Sequence, residues 1–383
     1  MKDYDSIIVH YDEIGLKGAN RSSFEQLLIH NIQKKIGKLK FIRETGQITF
    51  ELGAHTPENV KNALLAIPGI ASVAFAKPCS HNKEDIAKTA LKLIAGKTFS
   101  SFKVDTRRHD KTIKSTSIEM NTWLGEKIVK ATHAKVDLRN PELTFKLELT
   151  KNNAYCSLEE YQGIGGLPTN RQQKVVALLS GGFDSPVAAY MLMKRGCEVI
   201  LVHFWNKNQM STAVRDKIER IAERLHNYQL YTKLYLIPFE QLQMEIIKNV
   251  KPELRMLVYR KCMLTISSQI ASEEEASFLV VGDSLSQVAS QTLSNLVSTY
   301  SKSPYPIFTP LIGMNKNEIM GLARKIGTGP ISEEAYGDCC SYFLAKHPAL
   351  ETIAEKLDLV MKDLNLNTFS HQAIKEAIIK IWK

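Results

Sequence analysis

Ser180-Gly181-Gly182-Phe183-Asp184-Ser185 is the stretch whose residue types and spacing bear most directly on chemistry. It follows the apolar run 175–179 and precedes the helix-forming segment 186–193, an order that predicts buried strand, glycine turn and helix. Pro186 suits a first helical position, where no N–H is needed. The two glycines permit a tight turn and a close backbone approach to a ligand. The free N–H groups of the helix start then face an anion with the favourable end of the helix dipole. Such a turn holds phosphate. It lacks the lysine of a Gly-x4-Gly-Lys-Ser/Thr loop, so it is not built to pull on a γ-phosphate. The plainer alternative is an ordinary strand-to-helix turn rich in small residues.

The cysteines divide by context. Cys79, Cys156 and Cys197 sit at expected strand ends among apolar residues and read as packing. Cys339-Cys340 follows the polar stretch 332–338, where an accessible thiol can exchange with a persulfide or a disulfide. Six cysteines in 383 residues are too few for a disulfide scaffold, and the polar, acidic start does not read as an export signal, so reduced thiols and a cytoplasmic location are expected. No apolar run approaches the ~18 residues of a membrane span. The net charge of +10 is uneven: residues 1–173 hold 26 Lys+Arg against 19 Asp+Glu, and the remainder 24 against 21. Lys97, Lys103, Arg107, Arg108, Lys111 and Lys114 cluster in a region of nine basic and four acidic residues, 97–135. That is the charge phosphate contacts need, with a solvated face as the alternative.

The elements that must position these groups follow from periodicity. Strand 5–11, helix 21–36, hairpin 41–52, helix 57–67 and strand 71–76 give β-α-β-β-α-β, the ferredoxin-like pattern. A helix over 83–95, a strand over 102–105, a helix over 117–131 and a hairpin over 143–158 form a second unit. Residues 162–171, rich in glycine, turn residues and proline, read as a connection. Beyond it, strands at 175–179, 198–204, 233–238, 278–281 and 307–310 alternate with helices at 186–195, 212–226, 253–274 and 316–326. This predicts a doubly wound parallel sheet, with ligands at the carboxyl edge of its strands.

The 180–185 loop resembles the pyrophosphate loop (PP-loop) of enzymes that split ATP into AMP and pyrophosphate. With Asp12-Glu13-Ile14-Gly15-Leu16-Lys17-Gly18, the block Gly282-Asp283-Ser284-Leu285-Ser286-Gln287-Val288-Ala289-Ser290-Gln291-Thr292-Leu293 and Pro310-Leu311-Ile312-Gly313-Met314-Asn315-Lys316, nearly the whole chain resembles the tRNA sulfurtransferases, or tRNA 4-thiouridine synthetases. The resemblance implies an α/β chain with a ferredoxin-like domain over 1–75, a THUMP RNA-binding domain over 76–165 and an ATP pyrophosphatase domain over 174–383. It implies ATP and Mg2+ as cofactors, tRNA as substrate, a cysteine desulfurase as persulfide donor, and uridine at position eight turned into 4-thiouridine through an adenylate. Leu178, Leu179, Ser180, Gly181, Gly182, Ser185, His203, Phe204, Arg260, Gly282 and Gln291 would bind the nucleotide. Asp184, Lys316, Cys339 and Cys340 would act on the reacting groups.

The expected alternative partner is a small sulfur-carrier protein of thiamine thiazole synthesis, and a homodimer is the oligomeric alternative. The chain ends at Lys383, too soon for the rhodanese domain of longer relatives, which leaves the sulfur route open. An iron–sulfur cluster on Cys262, Cys339 and Cys340 is the competing use of the thiols. It is disfavoured because neighbouring residues rarely present two ligands to one face. No other metal ligands are assigned.

Overall fold

A computed structural model of the chain describes residues 4–206, 212–334, 349–362 and 364–383. They form two units, Met1–Pro168 and Thr169–Lys383. No helix among the described residues is long and apolar enough to cross a membrane.

In the first unit β1 (Ser6–Tyr11), α1 (Arg21–Ile36), β2 (Phe41–Glu44), β3 (Gln47–Glu51), α2 (Pro57–Leu65) and β4 (Ile70–Cys79) run in the expected ferredoxin-like order. Thr56 and Asn59 box the start of α2, with Pro57 at its first position. There follow α3 (Lys83–Ile94), β5 (Ser101–Arg108), α4 (Ser117–Thr132), β6 (Lys135–Val136), β7 (Leu143–Leu149), β8 (Ala154–Ser157) and β9 (Glu160–Gln162). The strands join one sheet, ordered β2-β3-β1-β4-β8-β7-β5-β6, with β9 beside β4. The strand expected over 71–76 runs on to Cys79. Its early residues pair with β1 and β9, and Lys77, Pro78 and Cys79 pair with β8, which carries the sheet into the second half of the unit.

Strand alternation sorts the two faces of this sheet. Ile7, Val9, Ile48, Phe50, Val73 and Phe75 point to the core under α1 and α2. Phe102, Val104, Phe145, Leu147 and Leu149 point to a second core with residues of α3 and α4. The opposite face carries His10, Ser72, Glu148 and Glu160. A flat sheet, at about 4.8 Å per strand, would hold β1 and β7 about 14 Å apart. Yet His10 of β1 reaches Glu148 of β7 at 2.9 Å, so the sheet curls onto its helix-free face. Burial pushes the Glu148 carboxyl up, but hydrogen bonds and charge from His10 and His109 outweigh it and hold the group at about 2.

The second unit is built on β10 (Asn170–Leu178), β11 (Cys197–Trp205), β12 (Thr232–Pro238), β13 (Phe278–Val280), β14 (Ile307–Phe308) and β15 (Ile378–Trp382). The order is β14-β13-β10-β11-β12-β15, parallel except for antiparallel β15. β10 starts at Asn170, so the end of the expected connection is already strand. The helices are α5 (Asp184–Lys194), α6 (Thr212–His226), α7 (Glu240–Asn249), α8 (Arg255–Glu273), α9 (Leu293–Tyr300), α10 (Lys316–Lys325), α11 (Gly329–Glu333), α12 (Ala354–Lys362) and α13 (Leu366–Lys375).

Val176, Ile200, Val202, Phe204, Tyr235 and Ile237 face a core shared with α7, α8 and α13. Their neighbours Val175, Ala177, Val199 and Leu201 are buried on the other face, where α5 and α6 lie against the sheet. The chain steps from β10 to β11 and β12 on one side, then returns to β13 on the other side of β10. That reversal leaves a crevice at the carboxyl ends of β10 and β13, the place where such sheets bind ligands.

Candidate active site

The 180–185 loop leaves β10 at this crevice and enters α5 at Asp184. Pro186 is therefore the third helical residue, not the first; it still falls among the first four, whose N–H groups have no partner inside a helix. No side chain caps the start of α5, which leaves its first N–H groups for an anion. The loop is drawn together by its serines. Ser180 N donates to Ser185 Oγ at 2.7 Å, and the two hydroxyls lie 3.0 Å apart. Neither Gly181 nor Gly182 takes a left-handed φ. A Cβ on Gly182 would meet nothing closer than Ser180 Oγ at 3.7 Å. A left-handed turn therefore does not explain these glycines; the space beside Gly182 is open, and neither glycine is among the residues that line the cleft beside this loop.

Gly282 has a different reason. A Cβ there would lie 2.7 Å from Ser185 N, 2.8 Å from Asp184 C and 2.9 Å from Ser185 Cα. The segment after β13 thus passes directly against the first turn of α5.

A cleft of about 270 Å³ opens at this place. Leu178, Leu179, Ser180, Asp184, Ser185, His203, Phe204, Arg260, Gly282 and Gln291 line it. These positions span more than a hundred residues, and the fold brings them to one wall. His203, two residues before the end of β11, has Nδ1 donating to the Leu179 carbonyl at 2.8 Å, which fixes the proton on that nitrogen. Met256, Met263 and Leu264 of α8 supply the apolar wall, and Phe204 packs into the core beneath it.

Asp283 organises the polar side, and sequence reasoning passed over it. It is 5% exposed. It pairs with Arg260 Nη2 and accepts from Gln291 Nε2 at 2.9 Å and from the Tyr300 hydroxyl. Arg260 Nη1 also donates to Ser290 Oγ at 3.2 Å. Burial, then the Asp283 charge, pushes the Tyr300 hydroxyl far up, so it stays a donor. The guanidinium is thus aimed by a carboxylate within the cleft. Asp283, Gln287 and Ser290 lie inside the 282–293 block, which was the available signal.

Asp184 and Lys316, 132 residues apart, meet with Lys316 Nζ 2.7 Å from Asp184 Oδ1. Gln287 Nε2 donates to Asp184 Oδ2 at 2.9 Å. Lys316 is the first residue of α10, whose start Asn315 and Glu318 box. Its ammonium also lies over the Phe183 ring, 5.4 Å from the centroid. The pair is partly open, with side-chain exposures of 43% for Lys316 and 22% for Asp184.

Cys339 and Cys340 lie outside the described residues. The described chain on either side is anchored. Ser332 Oγ donates to the Gly182 carbonyl at 3.1 Å, tying α11 to the phosphate loop. Glu334 pairs with Arg220. On the far side Ala349 N donates to the Glu253 carbonyl at 3.2 Å, and Thr292 Oγ1 to the Leu350 carbonyl at 2.8 Å. Cys262 is fully buried in the core, and burial pushes its thiol up to about 12.

The six basic residues of the first unit do not share one face. Lys97 precedes β5, whereas Lys111 and Lys114 follow it, so about 25 Å of strand separates them. Lys103 and Arg107 point to the helix-free side. Arg107 forks onto Glu160 at 3.2 Å, and Arg108 donates to the Ile113 and Ser115 carbonyls at 2.9 and 3.2 Å. Lys97, Lys111 and Lys114 are exposed.

Residues 170–366 match the family model described as thiamine biosynthesis protein (ThiI), residues 6–74 the ThiI ferredoxin-like domain, and residues 80–159 the THUMP domain. The chain belongs to the ThiI family. A ThiI relative from Thermoanaerobacter sp. (strain X514), named "Probable tRNA sulfurtransferase", is 38% identical over 357 residues, 92% of this chain and 93% of its own. A protein of Bacillus subtilis (strain 168) with the same name is 33% identical over 378 residues, 97% of this chain and 94% of its own. The solved structure described as "Crystal structure of a 4-thiouridine synthetase - RNA complex with bound ATP" superposes with a TM-score of 0.89 at 31% identity, covering 99% of this chain and 100% of that one.

Proposed function

We propose that this ThiI-family chain is an ATP-dependent tRNA sulfurtransferase that converts uridine at position eight of tRNA to 4-thiouridine. The observation that carries the reading is one cleft lined by the phosphate loop, by Asp184, which holds Lys316 by an ion pair, and by the 282–291 segment, in a chain alike along its length to a 4-thiouridine synthetase holding RNA and ATP. Sulfur transfer to a carrier protein is not favoured, because the relatives carry the name "Probable tRNA sulfurtransferase".

In this reading the phosphate chain of ATP lies on the 180–185 loop and the N-terminus of α5. Adenine sits between the ends of β10 and β11, near Leu179 and His203, and Arg260 faces the phosphates. The uracil 4-oxygen attacks the α-phosphorus and pyrophosphate leaves. Lys316 stabilises the charge that develops there, in a site whose dipoles are already fixed. Asp184 holds Lys316 in place and is the residue that would ligate Mg2+; its carboxylate is partly open and borders the cleft, as a hard cation requires. The ion would neutralise the departing pyrophosphate.

The terminal sulfur of a persulfide, passed from a desulfurase to Cys339 or Cys340, then attacks C4 and expels AMP, leaving carrier and uridine joined by a disulfide. A second thiol attacks the carrier sulfur, 4-thiouridine leaves, and the cysteine disulfide formed is reduced by an external dithiol. Support comes from the chain: Cys339 follows Ser332 by seven residues, at most about 25 Å of extended backbone, and Ser332 is bonded to the loop. Burial of Cys262 argues against a cluster that includes it. Lys97, Lys111 and Lys114 are the exposed cations left to meet RNA phosphates.

Asp184→Ala tests the assignment. The folded variant should lose tRNA-dependent AMP formation and 4-thiouridine, read by nucleoside mass spectrometry. Near-normal 4-thiouridine from a variant with an unchanged melting curve would overturn it.

A further inference from the structure

The helix-free face of the first unit holds a cluster that sulfur transfer does not use. His10 on β1, His109 just past β5 and Glu148 on β7 are distant in sequence, with Glu148 lying 138 and 39 residues from the two histidines. The curl of the sheet brings them together. His10 Nε2 and His109 Nε2 lie 2.9 and 2.8 Å from the same oxygen, Glu148 Oε2. The two rings stack at 6.2 Å with 19° between their planes. One donor atom from each residue falls within 4.8 Å of the others. Glu148 is 2% exposed.

Two features distinguish this from an ordinary buried ion pair. The first is the chemistry of the partners. Glu160, next to the cluster, is bridged by Lys146 and Arg107. Glu148 instead hydrogen-bonds two imidazoles, with Arg107 acting on it only through its charge. A buried carboxylate facing two imidazole nitrogens is a dication's ligand set. The second is the support behind His10. Its Nδ1 lies 3.1 Å from Ser72 Oγ, and that hydroxyl donates to Glu160. An imidazole backed through its second nitrogen towards a carboxylate is the arrangement that orients metal-bound histidine.

We propose that His10, His109 and Glu148 form a binding site for a divalent transition metal of the zinc class, with Ser72 and Glu160 positioning His10. Two imidazole nitrogens and one carboxylate oxygen suit zinc, cobalt or nickel better than magnesium or calcium, which take oxygen ligands. Metal–ligand bonds of about 2.1 Å set a tetrahedral edge of about 3.4 Å, so the three donors need to spread by about half an ångström. When the metal takes Nε2 of His10, that ring's proton moves to Nδ1, where Ser72 Oγ already stands as acceptor. The fourth position can be water, because His109 borders a cleft of about 900 Å³. The bound ion would clamp β1 to β7, strands three steps apart in the sheet order, and so hold the curl closed. The site is independent of the sulfur-transfer reading.

The test uses the full chain, stripped with a chelator and titrated with Co2+ alone, then with competing Zn2+. One equivalent should bind and give the visible bands of a low-coordinate cobalt ion without thiolate charge-transfer absorption. Zinc should raise the melting temperature. His109→Gln keeps a polar group beside Glu148, so its fold is protected while the ligand is lost; it should weaken binding by ~100-fold, and Ser72→Ala by ~10-fold. The Cys339→Ser, Cys340→Ser double variant should bind cobalt as before. No saturable binding at micromolar metal, binding unchanged in folded His109→Gln, or a thiolate spectrum lost with the cysteines would each overturn the proposal.

Discussion

Gly282→Ala is the sharpest perturbation of the nucleotide cleft, because its effect follows from three distances. The added Cβ would meet Ser185 N at 2.7 Å, Asp184 C at 2.8 Å and Ser185 Cα at 2.9 Å, where ordinary contact begins at 3.4 Å. The loop and the segment after β13 must therefore part by the difference, 3.4 − 2.7, or about 0.7 Å. Every atom met is backbone, so no side chain can swing away to relieve it. Overpacking of this kind costs about 1–3 kcal/mol. The part that moves is the first turn of α5, which carries Asp184 and the N–H groups that face phosphate. Misplacing a reacting group by about 1 Å can cost ~100-fold, so kcat/KM for tRNA-dependent AMP formation should fall by about 10- to 100-fold, and ATP should bind more weakly. Steady-state AMP release and calorimetric ATP titration read the two effects, and a melting curve shows that the protein is folded. Gly313→Ala is the control, since a Cβ there meets nothing within 4 Å. Full activity and unchanged ATP affinity in Gly282→Ala would refute the close approach and the role given to the turn.

Lys111→Glu with Lys114→Glu should weaken tRNA binding and lower the slope of log K against log salt by about 1.5, as two phosphate contacts are lost; an unchanged slope makes these lysines a solvated surface. Arg107 is a poor choice for that experiment, because its reversal would also break the pairing with Glu160. Cys339→Ser with Cys340→Ser should permit adenylation but block thiolation, as a hydroxyl cannot carry or exchange a persulfide; full 4-thiouridine from the double variant, with desulfurase as sole sulfur source, removes the relay. Cys262 should resist alkylation in the native protein at neutral pH, because a thiol pushed up to about 12 stays protonated. Rapid native-state labelling at Cys262 would contradict its place in the core.

Much of the second unit was legible from local order. Apolar runs separated by helical segments specify parallel strands with crossovers, and the 180–185 turn announces its own place at a strand end. The ferredoxin-like order was readable for the same reason: each of its elements carries its own period. Elements escaped where the pattern was short or lacked such context. β9 is three residues long and α9 eight, one residue separates α7 from the end of β12, and β15 joins the sheet as an antiparallel edge after two helices.

The sequence by itself determined the strands, the turn that faces phosphate and the residue types of the site, because backbone preference and hydrophobic period act over a few neighbours. Only the tertiary structure decided who meets whom. Asp184 finds Lys316, Asp283 gathers Arg260, Gln291 and Tyr300, and Gly282 must be glycine because another backbone passes it. The basic residues near β5 look like one patch in sequence, yet alternation and strand length scatter them, and two are taken up by Glu160 and by backbone carbonyls. The His10–His109–Glu148 cluster has no local signature at all. It exists because a long β4 joins two halves of one sheet and the curl of that sheet closes polar side chains against each other. Side-chain convergence of this kind depends on strand pairing over long separations, and no window of the sequence contains it.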